Sequence, residues 1–143
     1  MKGNVRITVE AVSTFAGQRD VLRFTGSGAV EPTEYGYHLR YTATNDADGS
    51  AMTSDVKLEK AGRRAVVINE SAGGGYGLLL DPRTPTATRI EAGGGALTLN
   101  VTTQRVSWDL GGRQGTVELA YTLLTGAAPM SALQVSMNLK EER

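Results

Sequence analysis

The chain has 143 residues, 15 basic and 15 acidic side chains, and no cysteine. This length fits a single domain over residues 1–143 that can bury its own core. The balanced, scattered charge gives no electrostatic footprint for nucleic acid or an anionic membrane. The lack of cysteine excludes disulfides, thiol catalysis and thiolate metal sites.

The same composition predicts a cytoplasmic protein. Small secreted domains commonly depend on disulfides, which this chain cannot form. Charged residues interrupt the alternating segment that begins at Val5, so it lacks the apolar run of a signal peptide. No window approaches the roughly 18 consecutive apolar residues of a membrane helix. We therefore expect neither a membrane nor a nucleic acid as partner.

Apolar and polar residues alternate with a period of two in the first half of the chain, which predicts strands rather than helices. Gly26 and Gly28 lie within a long strand, as a bent strand at a barrel corner requires. The stretch from Asn45 to Gly49 is the strongest turn signal in the sequence. The predicted strands of this half cover residues 5–11, 22–30, 35–43, 52–59 and 64–70.

The second half repeats the pattern, with predicted strands at residues 76–80, 84–90, 97–102, 106–110, 117–123 and 133–139. About ten strands with hairpin-length links favour one antiparallel up-and-down β-barrel of about 8–10 strands, because closure removes exposed sheet edges. The fold class is therefore all-β. The alternation leaves open whether the barrel interior is packed or encloses a cavity.

Two glycine runs, residues 73–75 and 93–95, follow predicted strands and precede apolar ones. A phosphate-binding loop would need a following helix or a Lys with Ser or Thr directly after the glycines, and neither run has them. Both runs therefore predict hairpin turns at one rim of the barrel.

The sequence offers no catalytic set. His38 is the only histidine, and it falls on the polar face of its strand, which predicts a solvent-facing side chain. With no cysteine and no clustered carboxylates, the chain lacks evident acid–base machinery. We predict no catalytic residues, no metal site and no cofactor.

Large side chains with polar tips suit an apolar pocket that makes a few hydrogen bonds. Four of them share the inward phase of their strands and form the predicted ligand site: Tyr37, Tyr41, Trp108 and Tyr121. Arg89 is the candidate for holding a ligand anion. Its neighbour Ile90 occupies the inward face of the strand, so Arg89 points inward only if a bulge shifts the register by one residue. An ordinary packed core explains the aromatic residues equally well.

Several strand patterns together resemble a known family. They are Phe24-Thr25-Gly26, Leu97-Thr98-Leu99, Trp108-Asp109-Leu110 and Met137-Asn138-Leu139. The chain resembles, over nearly its whole length, the YwiB-like family of uncharacterised bacterial proteins. The resemblance implies a lipocalin-like, calycin-type barrel in the cytoplasm and supplies no catalytic residues.

Three functional hypotheses follow. The leading one is a non-enzymatic barrel that binds a small, partly apolar ligand in its interior. The first alternative is a packed barrel that acts through its surface, as a protein-binding module or a homodimer. A small enzyme is the third. An enclosed cavity of roughly 300 Å³ or more would favour the ligand, and a solid interior with an exposed apolar patch would favour the partner.

Overall fold

The computed structural model describes residues 1–72, 74–92 and 95–142, and within them the chain forms ten β-strands and no α-helix. A short 3₁₀ turn, Ala61–Arg63, links the fourth and fifth strands. The strands are β1 Gly3–Phe15, β2 Gln18–Pro32, β3 Gly36–Asn45, β4 Ala51–Glu59, β5 Arg64–Ser71, β6 Gly74–Leu80, β7 Thr86–Ala92, β8 Gly95–Asp109, β9 Gln114–Thr125 and β10 Ala128–Glu141.

All the strands belong to one antiparallel sheet in the order β6-β5-β4-β3-β2-β1-β10-β9-β8-β7. Strands that follow one another in sequence are neighbours, except β6 and β7, and β1 pairs with β10 from Val5↔Glu141 to Thr14↔Ala132. The sheet curls into a nearly closed barrel. The prediction of an all-β, up-and-down antiparallel barrel is confirmed.

The barrel closes between its two edge strands, β6 and β7, through threonine side chains. The Thr86 hydroxyl donates to the Leu79 carbonyl oxygen at 2.6 Å, and the Thr88 hydroxyl donates to the Gly77 carbonyl oxygen. These bonds occupy backbone acceptors that an open edge would leave to solvent or to another chain. We call this junction the seam.

Two predicted strands, residues 97–102 and 106–110, are one strand in the structure, so their separation was wrong. The register of β8 against β9 shifts between Thr103 and Arg105. Thr103 is buried before this bulge and Val106 after it, so the inward phase moves by one residue. A bulge breaks the alternation in the same way as the end of a strand does, which is why the pattern suggested two strands.

Two glycines let β2 press against β3. A Cβ atom at Gly26 would lie 2.0 Å from the Thr42 carbonyl oxygen, and one at Gly28 would lie 1.9 Å from the Arg40 carbonyl oxygen. No side chain fits at such separations, since even close carbon–oxygen contacts are about 3.3 Å. The predicted bend of this strand therefore depends on glycine at both positions.

One end of the barrel is closed by Leu110, which follows β8. Its carbonyl oxygen accepts hydrogen bonds from the Met1 amino group at 2.6 Å and from the Tyr37 hydroxyl at 3.3 Å. The tightly packed core next to this end contains aliphatic side chains from many strands: Val5, Ile7, Val30, Leu39, Val56, Leu58, Leu80, Val101 and Val117.

The hairpins lie where the turn signals predict them. The Asn45 side chain accepts the Ala47 amide at 2.8 Å and so fixes the turn between β3 and β4. Ser71 pairs with Gly74 and Ala92 with Gly95, so the described glycines of the two runs form the first residues of β6 and β8. Residues 73, 93 and 94 of those runs lie outside the described residues. No helix in the described part of the chain has the length and hydrophobicity that a membrane crossing requires.

Truncation of the core should be costly at Leu119, which is 3 % exposed on β9. We expect Leu119→Ala to lower the free energy of unfolding by about 2–4 kcal/mol, since it deletes buried methyl groups and leaves a void. Val135→Ala should cost less, about 1–2 kcal/mol, because Val135 is only half-buried. Urea melts measure both. Leu97→Ala is the matched control, 45 % exposed, and a loss there as large as at Leu119 would contradict the assignment of the core.

The seam can be tested with one hydroxyl. Thr88→Val keeps the shape of the side chain and removes the donor to the Gly77 carbonyl oxygen, which then lacks this hydrogen bond. We expect the free energy of unfolding to fall by about 1–3 kcal/mol. Thr102→Val, at an exposed position of β8, should stay within about 0.5 kcal/mol of the unmodified chain. Equal effects of the two substitutions in urea melts would show that the hydroxyl does not hold the seam.

Candidate functional site

The interior of the barrel is not completely filled. A cavity of about 240 Å³ occupies the end opposite Leu110, where the hairpins β1–β2, β3–β4, β5–β6 and β9–β10 lie. Most of its wall is apolar and comes from β1, β2, β4, β5, β9 and β10: Val9, Ala11, Leu22, Phe24, Met52, Val67, Leu119, Leu133, Val135 and Met137.

The polar part of this wall is a chain of hydrogen-bonded side chains across β3, β4, β5 and β6. The Asn69 amide nitrogen donates to the Tyr76 hydroxyl at 2.9 Å, and the Ser54 hydroxyl donates to the Asn69 carbonyl oxygen. Tyr41 forms a hydrogen bond with Ser54. The Ser54 proton is therefore used within the wall, and the Asn69 carbonyl oxygen finds its donor there.

The opposite wall includes Tyr121, and Thr103 is its neighbour in the sheet. The Tyr121 hydroxyl has no hydrogen-bond partner within residues 1–72, 74–92 and 95–142. Thr103 faces Tyr121 across the β8–β9 ladder, and its hydroxyl oxygen is buried without a partner among the described residues. A buried polar atom without a partner costs about 1–3 kcal/mol, so Thr103 marks a place beside Tyr121 where a further hydrogen-bonding group would be stabilising.

Burial raises the pKa of two tyrosines that line the cavity. Loss of solvent raises the pKa of Tyr121 well above its ordinary value of 10.0, and the neighbouring Tyr76 and Tyr41 raise it further. Loss of solvent also raises the pKa of Tyr41, although the bond to Ser54 opposes this. Both rings are therefore neutral hydrogen-bonding groups at physiological pH.

The structure brings together two of the four predicted aromatic residues. Tyr41 and Tyr121 line the cavity. Tyr37 points inward but bonds to Leu110 at the closed end, and Trp108 packs against the core two residues before Leu110. Arg89 is exposed on β7, whose ladder with β8 runs from Thr86 to Ala92 in continuous register, so Arg89 does not reach the cavity.

The sequence analysis missed two polar residues of the wall, Ser54 and Asn69. Ser54 shares the inward phase of β4 with Val56, and Asn69 shares that of β5 with Val67. A small polar residue in an inward phase is a signal that alternation contains, since a buried polar group needs a partner or a ligand. Thr103 carries the same signal on β8.

His38 lies outside this site, on the outer surface of β3, as its phase predicts. Its Nε2 atom is 2.9 Å from Asp55 Oδ1, and Arg40 Nε donates to Asp55 Oδ2 at 3.1 Å. Histidine and aspartate form an ordinary cross-strand pair here. No group of three or more potential metal-ligating side chains occurs in the described part of the chain.

A larger depression of about 450 Å³ lies on the outer surface of β1, β9 and β10, beside Arg6, Asp109 and Lys140. It is more open to solvent than the interior cavity, so a ligand there would keep much of its hydration. The interior cavity is the better candidate because it is more enclosed and combines an apolar wall with the Tyr121 hydroxyl, which has no partner among the described residues.

Comparison with known proteins places the chain in a family. A family described as "Domain of unknown function (DUF1934)" matches residues 7–137. The chain belongs to this family. The crystal structure of the ywiB protein from Bacillus subtilis has a similar fold, with a TM-score of 0.78, 18 % sequence identity, and coverage of 99 % of this chain and 94 % of that one. The resemblance to YwiB-like proteins is confirmed, and no curated protein matches the chain.

The buried tyrosines of this DUF1934 barrel should make its stability fall at alkaline pH. The folded state holds the Tyr121 proton more tightly than the unfolded state, so the contribution of Tyr121 to stability is fully present below about pH 10 and is lost as pH rises above it. Each such tyrosine contributes a slope of about 1.4 kcal/mol per pH unit. We expect Tyr121→Phe to remove one such contribution in urea melts between about pH 10 and pH 11.5.

Tyr35→Phe is the matched control for this experiment, because the Tyr35 ring is exposed in the turn before β3. It should keep the slope of the unmodified chain. An unchanged alkaline slope in Tyr121→Phe would contradict the burial of the Tyr121 hydroxyl.

Proposed function

We propose that this protein binds a small, partly apolar ligand inside its barrel and does not catalyse a reaction. The observation that carries the proposal is the cavity at the end of the barrel opposite Leu110, which combines an apolar wall with the Tyr121 hydroxyl, for which the described residues supply no hydrogen-bond partner. Ligand sites in proteins have this composition, with mostly apolar surface and a few polar groups that fix orientation. Lipocalin-like barrels offer an analogy of fold for such a use of the interior.

The volume of the cavity limits the size of the ligand. At about 240 Å³ the cavity is smaller than the roughly 300 Å³ at which sites for drug-sized molecules begin. An apolar cavity of about 150 Å³ binds benzene, so this one suits a molecule of about ten non-hydrogen atoms. Haem and long-chain fatty acids are too large for it.

A route into the cavity supports the proposal. Leu22 and Tyr76 line the cavity and are also 48 % and 38 % exposed, so they form its mouth. Other exposed apolar residues, Phe15 and Met130, lie near the ends of their strands on the same side of the barrel. A ligand therefore meets apolar surface before it enters.

We also infer a cytoplasmic location, and this rests on composition. The chain contains no cysteine, whereas small secreted domains commonly use disulfides. The ligand would then be a small molecule of the cytoplasm.

A substitution that fills the cavity should abolish ligand binding, although it leaves the hydroxyl groups of the cavity unchanged. A thermal-shift screen of medium-chain acids, alcohols and aromatic metabolites should find compounds that raise Tm by about 5–10 °C at a hundredfold excess over Kd. In Ala11→Phe, whose new ring enters the cavity, that increase should disappear. Ala29→Phe is the matched control, because Ala29 is exposed on β2, and it should keep the increase.

Two results would contradict the proposal. A compound that stabilises both variants equally binds outside the cavity. If no compound in the screen raises Tm, the interior is not a ligand site. The exposed apolar residues around the mouth then favour the alternative, a protein-binding or homodimer surface at that end.

A further inference from the structure

We infer that the ligand is an electrically neutral molecule with one hydrogen-bonding oxygen, such as an alcohol, a phenol or a ketone, and that Tyr121 holds this oxygen. The inference rests on the proposed binding function and adds the chemical class of the ligand. It follows from the charge of the cavity, from the state of its hydroxyls and from the buried hydroxyl of Thr103.

The first step concerns charge. Within the described residues, the side chains that line the cavity include no Asp, Glu, Lys, Arg or His. Arg89, the basic residue that the sequence offered for an anion, is exposed on β7. A carboxylate or an ammonium group inside would lose its hydration and meet no opposite charge, which is strongly unfavourable. The cavity therefore selects against ions of either sign.

The second step concerns the hydroxyls. Tyr41 is hydrogen-bonded to Ser54 within the wall, so its hydroxyl already has a partner. The oxygen of Tyr76 accepts from Asn69, which leaves the Tyr76 proton at the mouth without an acceptor in the described part of the chain. The Tyr121 hydroxyl likewise has no partner among the described residues, and it lies at the cavity wall. Both are phenol O–H donors, so they suit a neutral oxygen as partner.

The third step concerns Thr103. It is 7 % exposed, sits opposite Tyr121 in the ladder, and its hydroxyl oxygen has no partner in the part of the chain that the structure describes. Native proteins satisfy most buried polar atoms, so this exception, opposite a residue that lines the cavity, points to a group that is bound nearby. An oxygen of the ligand held by Tyr121 would bring hydrogen-bonding capacity to this otherwise apolar region.

The experiment compares three probes that share an eight-carbon chain: 1-octanol, octanoate and octylammonium. Isothermal titration calorimetry at pH 7.5 with the full chain measures each Kd. We expect 1-octanol to bind about tenfold or more tightly than either ion, because only the ions must lose a charged hydration shell. Tyr121→Phe, which removes only the hydroxyl, should weaken 1-octanol by about three- to tenfold. Tyr35→Phe is the matched control and should leave its Kd unchanged.

The outcomes separate the inference from the proposed function. If octanoate or octylammonium binds as tightly as 1-octanol, and Ala11→Phe abolishes that binding, the cavity is a ligand site but the inference of a neutral ligand is wrong. If 1-octanol binds Tyr121→Phe and the unmodified chain equally, Tyr121 does not hold the oxygen. If none of the three binds but the thermal-shift screen finds a compound that Ala11→Phe excludes, the inference fails and the proposed function stands. If the screen finds no compound either, both fail.

Discussion

Two threonine hydroxyls on β7 complete the barrel, and the rest of the structure depends on that closure. Nine strand pairs form the sheet by backbone ladders, but β6 and β7 meet through Thr86 and Thr88, which donate to backbone carbonyls of β6. Without this contact the sheet would have two open edges and its inner face would be exposed to solvent. With it, the inner face becomes an interior that can hold a core at one end and a cavity at the other.

The two ends of the barrel interior differ in how their polar groups are hydrogen-bonded. At the end closed by Leu110, its carbonyl oxygen accepts hydrogen bonds from the Met1 amino group and the Tyr37 hydroxyl. At the open end, one wall is satisfied through Ser54 and Asn69, while the hydroxyls of Tyr121 and Thr103 find no partner among the described residues. Stability favours the first arrangement, whereas the second leaves hydrogen-bonding capacity for another molecule. This difference, more than volume alone, separates the candidate site from ordinary packing.

The close approach of β2 to β3 helps to position the site. Gly28 faces Tyr41 in the ladder, and a Cβ atom there would lie 2.7 Å from the Tyr41 Cβ atom. The lack of a side chain at Gly28 lets β3 approach β2 with the Tyr41 ring inside the barrel, where its hydroxyl meets Ser54 of the next strand. The glycines of β2 thus link the curvature of the sheet to the polar wall of the cavity.

Much of the fold could be predicted from alternation, because a half-buried strand must place every second side chain in the core. Alternation also gave the inward phase of Tyr41 and Tyr121. It could not separate them from Tyr37 and Trp108, which share that phase, since a period of two fixes the face of a strand but not the height of a residue along the barrel axis. That height depends on strand tilt and on the register with neighbouring strands.

The sequence by itself therefore determined the all-β class, the up-and-down order of the strands, most of the turns and the inward face of most strands. Those properties are local, because turn residues and side-chain alternation act over a few positions. Only the tertiary structure decided that β8 is one strand with a bulge, that threonines close the seam, and that the interior is packed at one end and open at the other. These features arise where residues distant in sequence meet. They depend on packing between strands, which the residue pattern of a single segment does not determine.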